Sequence, residues 1–322
     1  MKAIVYERYG EPDVLKVAEV DKPSIKENEV LVEVKASGVN PVDTYFRKGI
    51  REVPSFPFIP HLDLAGVVVE VGKNVKNVKV GDRIWATNAN SASAEYTAID
   101  ANLAFPLHND LSFIEGAALA MPFMTAHLSL FFRGKLESGE TVFVFGGAGS
   151  VGHAAIQLAK ARGARVIATA GNEEKAEIAR QAGADDVILY KEEDVVERTK
   201  QLTDNEGVDI ILDMSVSENL EKDLHMIKLG GRIVTIGSPV NNTPTLPWRL
   251  LNLKHATLLG MLQLSAPLEE IVKAGKEISD GFEKGIYKPY VGKVFPFAEA
   301  SEAHRTLEQK TVNGRIILDH QA

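Results

Sequence analysis

The sequence predicts an α/β protein with a doubly wound, parallel six-stranded sheet and a separate β-rich domain. From residue 141 onward, strand-like runs alternate with amphipathic helix-like runs, as in parallel sheets with crossover helices. Residues 1–122 instead carry short strand-like runs separated by glycine, proline and asparagine. The 322 residues exceed the about 250–300 that one core usually supports. We therefore expect domains over residues 1–122 and 123–265, and a segment, 266–322, that returns to the first domain.

The β-rich domain is predicted from four strand-like runs, which cover residues 2–6, 29–34, 65–72 and 80–85. Short strands with turn signals between them indicate a small barrel or sandwich. The proline-rich residues 54–60 are predicted to form a loop. Residues 113–130 are predicted to form two helical pieces that meet at a break near Pro122, because proline disrupts a helix interior.

The parallel sheet is predicted from six strands, at residues 141–145, 165–170, 186–190, 208–214, 232–237 and 255–261. Helices are predicted after the first five strands, and four of them cover residues 173–181, 193–202, 218–229 and 247–253. The C-terminal segment is predicted to hold one long helix and then strands at 292–295 and 315–318.

A glycine motif stands between the first of these strands and its helix. Gly147, Gly149 and Gly152 fit the pattern G-x-G-x-x-G. The apolar face of the following helix is Val151, Ala154, Ala155, Leu158 and Ala159, and Gly163 is predicted to end that helix. The first glycine of such a motif takes a positive φ, the second lets a diphosphate approach the backbone, and the third lets the helix pack closely. The free N–H groups of the helix attract the anion. We interpret this loop as a dinucleotide site.

The residues after the loop favour NADPH over NADH. NAD-binding sheets carry an acidic residue about 20 positions beyond the glycines, where this chain has Thr169. A small turn with a hydroxyl group and a nearby cation suits the 2′-phosphate of NADPH, and Lys175 is that cation. The neighbouring Glu173 and Glu174 reduce the positive charge there.

Composition excludes several other classes of protein. The net charge of −8, without a block of lysine and arginine, argues against nucleic-acid binding. The absence of cysteine excludes disulfides, thiolate nucleophiles and cysteine-ligated metals. No uninterrupted apolar run reaches about 18 residues, so no membrane span is expected. The N-terminal residues read as a strand rather than a signal peptide, which predicts a cytoplasmic protein.

Motifs along the whole chain resemble those of the zinc-independent quinone oxidoreductases, the zeta-crystallin group of the medium-chain dehydrogenase/reductase superfamily. The markers are the glycine loop and residues 37–45 (SGVNPVDTY), 63–67 (DLAGV), 80–83 (VGDR), 121–126 (MPFMTA) and 183–185 (GAD). The resemblance implies a GroES-like β-barrel domain, a Rossmann domain and an active site in the cleft between them. It also implies NADPH-dependent reduction of a small quinone or enone by a homodimer.

The resemblance also implies roles for individual residues. Asn40 and Tyr45 are expected to donate hydrogen bonds to the substrate carbonyl, and Thr125 to hold the nicotinamide or a ribose. The expected cofactor-binding residues are Gly146, Gly149, Ser150, Val151 and Gly152 at the diphosphate, Gly171, Lys175, Tyr190 and Lys310 at the adenosine 2′-phosphate and ribose, and Ser215, Gly237, Ser238, Met261 and Gln263 at the nicotinamide half.

No metal is expected. The zinc-dependent relatives place a cysteine ligand where this chain has Asn40, and the sequence Gly-His-Glu where it has His61, Leu62 and Asp63. The ligand histidine thus aligns with Leu62, and His61 replaces the glycine. The chain also departs from the group itself, because Phe56 and Phe58 stand where tyrosines are common, which predicts a more apolar substrate pocket.

Two other functions stay open at this point. An enoyl-thioester or alkenal/one reductase on the same scaffold would need a cationic groove, for which Arg47, Lys48 and Arg51 form the nearest cluster, more typical of solvated surface. A dinucleotide-binding protein with a structural or sensing role is the alternative of another class. Strand 255–261 would lie at an open edge of the sheet, so pairing of two copies there is expected to form the dimer.

Overall fold

The computed structural model describes residues 1–237 and 241–322. The chain divides into two compact units, one formed by residues 1–121 and 271–322 and the other by residues 122–270. The chain therefore leaves the first unit once and returns to it at its C-terminal end.

The elements are named in chain order. The strands are β1 (Lys2–Val5), β2 (Lys16–Glu19), β3 (Glu29–Val39), β4 (Asp63–Val71), β5 (Arg83–Ala86), β6 (Tyr96–Asp100), β7 (Phe105–Pro106), β8 (Thr141–Val144), β9 (Arg165–Ala170), β10 (Asp186–Leu189), β11 (Val208–Asp213), β12 (Ile227–Thr235), β13 (Thr257–Gly260), β14 (Val291–Pro296) and β15 (Arg315–Asp319). The helices are α1 (Pro41–Arg47), α2 (Phe113–His127), α3 (Ser150–Ala161), α4 (Glu173–Gln181), α5 (Val195–Leu202), α6 (Val216–Met226), α7 (Trp248–Lys254), α8 (Leu268–Glu283) and α9 (Ala300–Gln309). A π-helix, Leu128–Arg133, continues α2.

The second unit contains the predicted parallel sheet. Its strands lie in the order β10-β9-β8-β11-β12-β13, and each neighbouring pair is parallel. Phe143, Ile167 and Ile211 are fully buried in its core, as expected when helices cover both faces of a sheet. The strand order reverses between β8 and β11. Parallel sheets bind ligands outside the carboxyl ends of the strands at such a reversal.

The first unit contains a mixed sheet in the order β14-β15-β3-β4-β5-β7, with β6 paired to β3 and a separate β1–β2 pair. Strand β15 lies antiparallel to the end of β3, with Ile316 opposite Val39. Because β3 leads directly into α1, this pairing places the C-terminal strand beside the residues from which α1 starts.

Two predictions about helices are wrong. Helix α2 passes through Pro122 without the predicted break. Its neighbours Leu119 and Phe123 are buried, and such packing outweighs the about 3 kcal/mol that an interior proline costs. Helix α9 was not predicted in the C-terminal segment. Its buried face consists of small and polar side chains, including Ala303, His304 and Thr306, so it lacks a stripe of large apolar residues.

One helical stretch, residues Phe113–Arg133, is long and apolar enough by composition to cross a membrane. Within it, 78% of the most apolar window is buried inside the protein. Core helices of globular proteins meet the same criterion, and they are mostly buried, as this helix is.

Candidate functional site

The glycine loop between β8 and α3 is held by three hydrogen bonds from main-chain N–H groups, two of which go to Thr169 on β9. The Gly146 N–H donates to Thr169 Oγ1 at 3.0 Å, the Gly147 N–H to the Thr169 carbonyl at 2.9 Å, and the Gly149 N–H to the Gly146 carbonyl at 2.9 Å. Thr169 occupies the position at which NAD-binding sheets carry an acidic residue. Its side chain and carbonyl are instead committed to the loop, a supporting role that the sequence did not reveal.

The glycines of the loop are required for different physical reasons. The positive φ expected at Gly147 belongs to Gly146, at 64°, so Gly146 makes the turn. A Cβ on Gly152 would lie 2.3 Å from the Gly146 carbonyl oxygen, and one on Gly147 would lie 2.9 Å from the Ala168 methyl group. These two glycines are therefore required by packing within the protein.

Gly149 differs from Gly147 and Gly152. It is exposed, and among the described residues a Cβ there would approach only the Gly146 carbonyl oxygen, at 3.2 Å. Gly149 is also the N-cap of α3 and has no side chain to cap the helix. The first N–H groups of a helix have no acceptor within it. The loop thus presents main-chain donors and the positive end of the helix dipole beside an open space, which is an anion-binding arrangement.

The predicted adenosine-side residues lie on β9, β10 and α4. A Cβ on Gly171 would lie 2.8 Å from Tyr190 Oη, so the two residues are adjacent, and the Tyr190 side chain is exposed. The main-chain N–H of Lys175 donates to the cap residue Asn172 at 2.9 Å, which fixes Lys175 in the first turn of α4. Glu173, which the sequence suggested would offset the charge of Lys175, binds Arg180 at 2.6 Å.

The predicted nicotinamide-side residues gather at the carboxyl ends of β11, β12 and β13. The Val216 N–H donates to the Gly237 carbonyl at 3.1 Å, which joins the residue after Ser215 to Gly237. The Met261 N–H donates to the Thr235 carbonyl at 3.0 Å. Thr125 Oγ1 donates to Gln263 Oε1 at 2.8 Å, with both side chains buried. Ser238 lies outside the described residues.

In the first unit, a buried carboxylate organises the residues around Asn40. Asp63 is fully buried and accepts hydrogen bonds from Asn40 Nδ2 at 3.0 Å, Thr87 Oγ1 at 2.7 Å and the Met121 N–H at 3.2 Å. Arg315, also buried, pairs with the same carboxylate and donates to the Val39 carbonyl at 2.7 Å. Burial raises the pKa of Asp63, whereas Arg315 and the hydrogen bonds oppose that rise. The side-chain amide of Asn40 is thereby held in one orientation.

Helix α1 carries Asn40 and Tyr45 on one short segment. Asn40 is its N-cap, and the Asn40 N–H donates to Asp43 Oδ2 at 2.6 Å. Burial, with the nearby charge of Asp63, raises the pKa of Asp43 to about 7. Tyr45 is half-buried on the same helix. The two predicted carbonyl-binding residues therefore lie on one short segment, whose first residue, Asn40, is held by Asp43 and Asp63.

His61 is fixed by contacts inside the first unit. Its φ of 73° is the left-handed conformation that favours glycine, in keeping with its alignment to a glycine. Its Nε2 lies 2.8 Å from His304 Nε2, and its Nδ1 contacts Ser93 Oγ. Two proton arrangements satisfy both contacts with neutral rings. Either His304 Nε2–H donates to His61 and His61 Nδ1–H donates to Ser93, or Ser93 Oγ–H donates to His61 Nδ1 and His61 Nε2–H donates to His304.

Three other predicted features also lie in the first unit. Lys310 is exposed at the end of α9. The rings of Phe56 and Phe58 pack on Tyr6, with centroids 5.9 and 5.5 Å away. The prediction of a solvated basic cluster is wrong for Arg47, which is completely buried and binds Glu308 at 2.7 Å. The charge of Arg47 therefore pairs with Glu308 in the interior of the first unit and does not face solvent.

Family models match both parts of the chain. The model described as the alcohol dehydrogenase GroES-like domain matches residues 26–123, and the model described as zinc-binding dehydrogenase matches residues 150–278. The chain is 36% identical to the quinone oxidoreductase of Sus scrofa over 99% of its own length and 97% of that protein.

The chain belongs to the quinone oxidoreductase family.

Solved structures agree with this membership of the medium-chain dehydrogenase/reductase superfamily. The Escherichia coli quinone oxidoreductase complexed with NADPH superposes with a TM-score of 0.89 at 32% identity, covering 99% of this chain and 100% of that chain. The CurK enoyl reductase superposes with a TM-score of 0.89 at 25% identity, covering 99% and 98%. The predicted combination of a GroES-like domain and a Rossmann domain is confirmed, while the roles of individual residues remain predictions.

The buried histidines of this family member predict a dependence of stability on pH. Burial lowers the pKa of His304 to about 3 and that of His61 well below its usual value. Between the unfolded value near 6.5 and the folded value, the unfolded chain holds a proton that the folded chain does not. Stability is then lost as the pH falls, by about 1.4 kcal/mol per pH unit for each such group. Urea titrations from pH 7.5 to pH 5 measure this slope.

A His304→Asn variant is expected to have a shallower slope below pH 6.5 than the parent, although it is less stable at pH 7.5. His255→Asn is the matched control, because His255 is exposed and its left-handed φ of 48° suits asparagine. This control should keep the parent's slope. Equal slopes for the parent and His304→Asn would contradict a neutral buried pair.

Proposed function

We propose that this chain is an NADPH-dependent quinone reductase that works without a metal ion. The observation that carries the proposal is the exposed N-terminus of α3, whose cap residue Gly149 leaves space beside free main-chain donors. The quinone oxidoreductase of Escherichia coli, which superposes over nearly the whole chain, was solved as a complex with NADPH.

The residues of the second unit fit NADPH. The diphosphate would be held by the N–H groups of residues 150–152, beside Gly149, at the strand-order reversal where parallel sheets bind nucleotides. Lys175 supplies a cation for the 2′-phosphate, and its neighbour Glu173 is engaged by Arg180. Ser215 and Gly237, adjacent at the carboxyl ends of β11 and β12, would line the nicotinamide half. When bound, NADPH supplies the hydride.

Asn40 and Tyr45 are proposed to steady the oxygen of the acceptor. Reduction of a quinone places negative charge on its oxygen, and oriented donors stabilise such charge most when they need not reorganise. One hydrogen of Asn40 Nδ2 is used by Asp63, which fixes the amide and leaves the other hydrogen to donate. Tyr45 adds a phenolic donor from the same helix, and solvent supplies the proton that completes the quinol.

The donor set does not fit a zinc ion. Asn40 turns its amide nitrogen to Asp63, Leu62 has no ligating atom, and both ring nitrogens of His61 face His304 and Ser93. Within residues 1–237 and 241–322, no cluster of three or more His, Cys, Asp or Glu side chains is arranged to hold a metal. The proposed reaction therefore needs no metal ion, although the family model that matches residues 150–278 is described as zinc-binding dehydrogenase.

A single assay tests the proposal and its rivals. NADPH oxidation is followed with a quinone, an alkenal and an enoyl-CoA, before and after dialysis against a chelator. We expect turnover with the quinone that survives chelation. Turnover with the alkenal or enoyl-CoA alone would favour a double-bond reductase, and tight NADPH binding without any turnover would favour a structural or sensing protein.

The enoyl reductase alternative is kept because of the structural similarity to the CurK enoyl reductase. The basic cluster that it was expected to use is weakened by the structure. Glu308 binds both Arg47, at 2.7 Å, and Lys48, at 2.8 Å. Both cations therefore already share a carboxylate within the first unit, which favours a quinone over a CoA thioester.

The proposed enzyme is a cytoplasmic homodimer that pairs through β13. This strand ends the described sheet and pairs with β12 on its one side, so a second copy would cover its free edge. Trp248 and Leu253, on the helix before β13, are 62% and 71% exposed. A chain without cysteine has no need of an oxidising compartment.

Charged residues at the exposed apolar positions are expected to separate the dimer. A Trp248→Asp, Leu253→Asp double variant should elute as a monomer, because burying two carboxylates in an apolar interface is unfavourable. Light scattering after size-exclusion chromatography measures the mass. Leu229→Asp is the control, since Leu229 is 68% exposed on β12 and should leave the mass unchanged. A monomeric parent would refute the dimer.

A further inference from the structure

Two buried carboxyl groups lie next to the residues proposed to line the nicotinamide half of the site. Asp213 is the last residue of β11, and Asp223 lies on α6. Both side chains have no exposed surface, and both oxygens of Asp223 have no hydrogen-bond donor within the described part of the chain. The two carboxyl groups are neighbours, since each acts on the pKa of the other. A buried carboxylate without any donor is strongly disfavoured, so Asp223 holds a proton.

The contacts of Asp213 identify the donor. Asp213 Oδ1 accepts hydrogen bonds from the Ser215 N–H at 2.7 Å and from Asn219 Nδ2 at 3.1 Å. Its Oδ2 and both oxygens of Asp223 have no hydrogen-bond donor within the described part of the chain. Asp213 is thus the better-stabilised anion, and the proton belongs on Asp223, for which Asp213 Oδ2 is an acceptor without another donor.

No neighbouring cation among the described residues pairs with the two carboxyl groups in place of this proton. Glu218 on α6 acts on Asp213 with like charge, and Lys222, also on α6, is exposed and acts weakly on Asp223. On the elements packed against α6, Lys200 of α5 binds Glu197, Arg232 of β12 binds Glu140, and Lys254 of α7 binds the Ile227 carbonyl. Arg198 of α5 contacts Glu193, Lys228 of β12 contacts Glu206 and Asp209, and Arg249 of α7 is exposed.

The turn that this pair supports belongs to the proposed cofactor site. Asp213 fixes the Ser215 N–H, and the Ile236 N–H donates to the Asp213 carbonyl at 2.8 Å. The next hydrogen bond joins Val216 to Gly237. Asp213 thus connects the two segments that would line the nicotinamide half. One follows β11, the strand at the sheet reversal, and the other follows β12.

We propose that protonated Asp223 is a positioning residue for the cofactor: its shared proton holds Asp213 and the Ser215 turn in the conformation that binds NADPH. This inference rests on the proposed function. Loss of the proton leaves two buried anions in contact, and their repulsion moves Asp213 away from Ser215. NADPH affinity then falls as the pH rises, by at most about tenfold per pH unit, the limit for one linked proton.

An Asp223→Asn variant tests the proposal, because the asparagine amide donates to Asp213 at every pH. NADPH affinity is measured by calorimetry from pH 6 to pH 9.5. The parent is expected to lose affinity toward high pH, whereas Asp223→Asn keeps it. Glu221→Gln, which removes an exposed charge from the same helix, should follow the parent. An Asp223→Asn profile that parallels the parent's profile would overturn the proposal.

Infrared spectroscopy provides a measurement that does not depend on the cofactor. At neutral pH, the difference spectrum between the parent and Asp223→Asn should show the carbonyl band of one buried protonated carboxyl group, because the contribution of Asp43, whose pKa is about 7, cancels in the difference. The difference between the parent and Glu221→Gln should show no such band. Absence of the band from the first difference would overturn the shared proton. If neither the parent nor the variants bind NADPH at any pH while the band behaves as expected, the proposed function fails and the proton assignment stands.

Discussion

A Gly149→Val variant is expected to fold like the parent and to bind NADPH at least about 100-fold more weakly, equivalent to about 2.7 kcal/mol. The side chain would project into the open space beside the first turn of α3, where the diphosphate is proposed to lie. Within the protein, a Cβ at this position meets only the Gly146 carbonyl oxygen, at 3.2 Å. Calorimetry with NADPH and a thermal unfolding curve measure the two properties separately.

Two other substitutions show whether the effect belongs to the ligand. Gly152→Val should destabilise the fold itself, because its Cβ would lie 2.3 Å from the Gly146 carbonyl oxygen. Ala161→Val introduces the same side chain at the exposed end of α3 and should change neither property. If Gly149→Val kept the parent's affinity for NADPH, the loop would not be the diphosphate site.

Breaking the buried ion pair is expected to have the largest effect on stability. Asp63→Leu leaves the guanidinium of Arg315 buried without its partner, and Arg315→Met leaves the carboxylate of Asp63 in the same condition. Removing one partner of such a pair typically costs about 3–5 kcal/mol. Urea unfolding of each variant measures the loss. Asp63→Leu should also reduce turnover with quinone, because Asn40 loses the acceptor that orients it.

The double variant is the control for this prediction. Asp63→Leu combined with Arg315→Met removes both charges, so it should be more stable than the sum of the two single losses implies. Double-mutant analysis then gives the coupling free energy of the pair. Additive losses would mean that the two side chains act independently, contrary to the contacts in the structure.

Local patterns predicted much of the second unit. The alternation of strands and helices gave all six parallel strands, and the glycine motif gave the position of the loop and of α3. These signals lie within about 20 residues of one another, and each element has its own periodicity. The turn glycine was misassigned to Gly147 instead of Gly146, because the spacing of the motif does not determine which of two adjacent glycines takes the positive φ.

The residues that support Asn40 were not predictable in the same way. Arg315 is 252 positions from Asp63, and His304 is 243 positions from His61. Only the pairing of β15 with β3 and the packing of α9 bring these partners together. An arginine or histidine near the C-terminus of a chain carries no local signal of burial. Asp223 was missed for the same reason, since a single carboxylate on a helix normally reads as surface.

A crystal structure of the parent protein soaked with NADPH would test the central claim most directly. The account predicts that the diphosphate lies beside Gly149 against the main-chain N–H groups of residues 150–152, and that no metal ion is bound at Asn40 and Asp63. A diphosphate bound elsewhere, or a metal ion held by those two side chains, would contradict it.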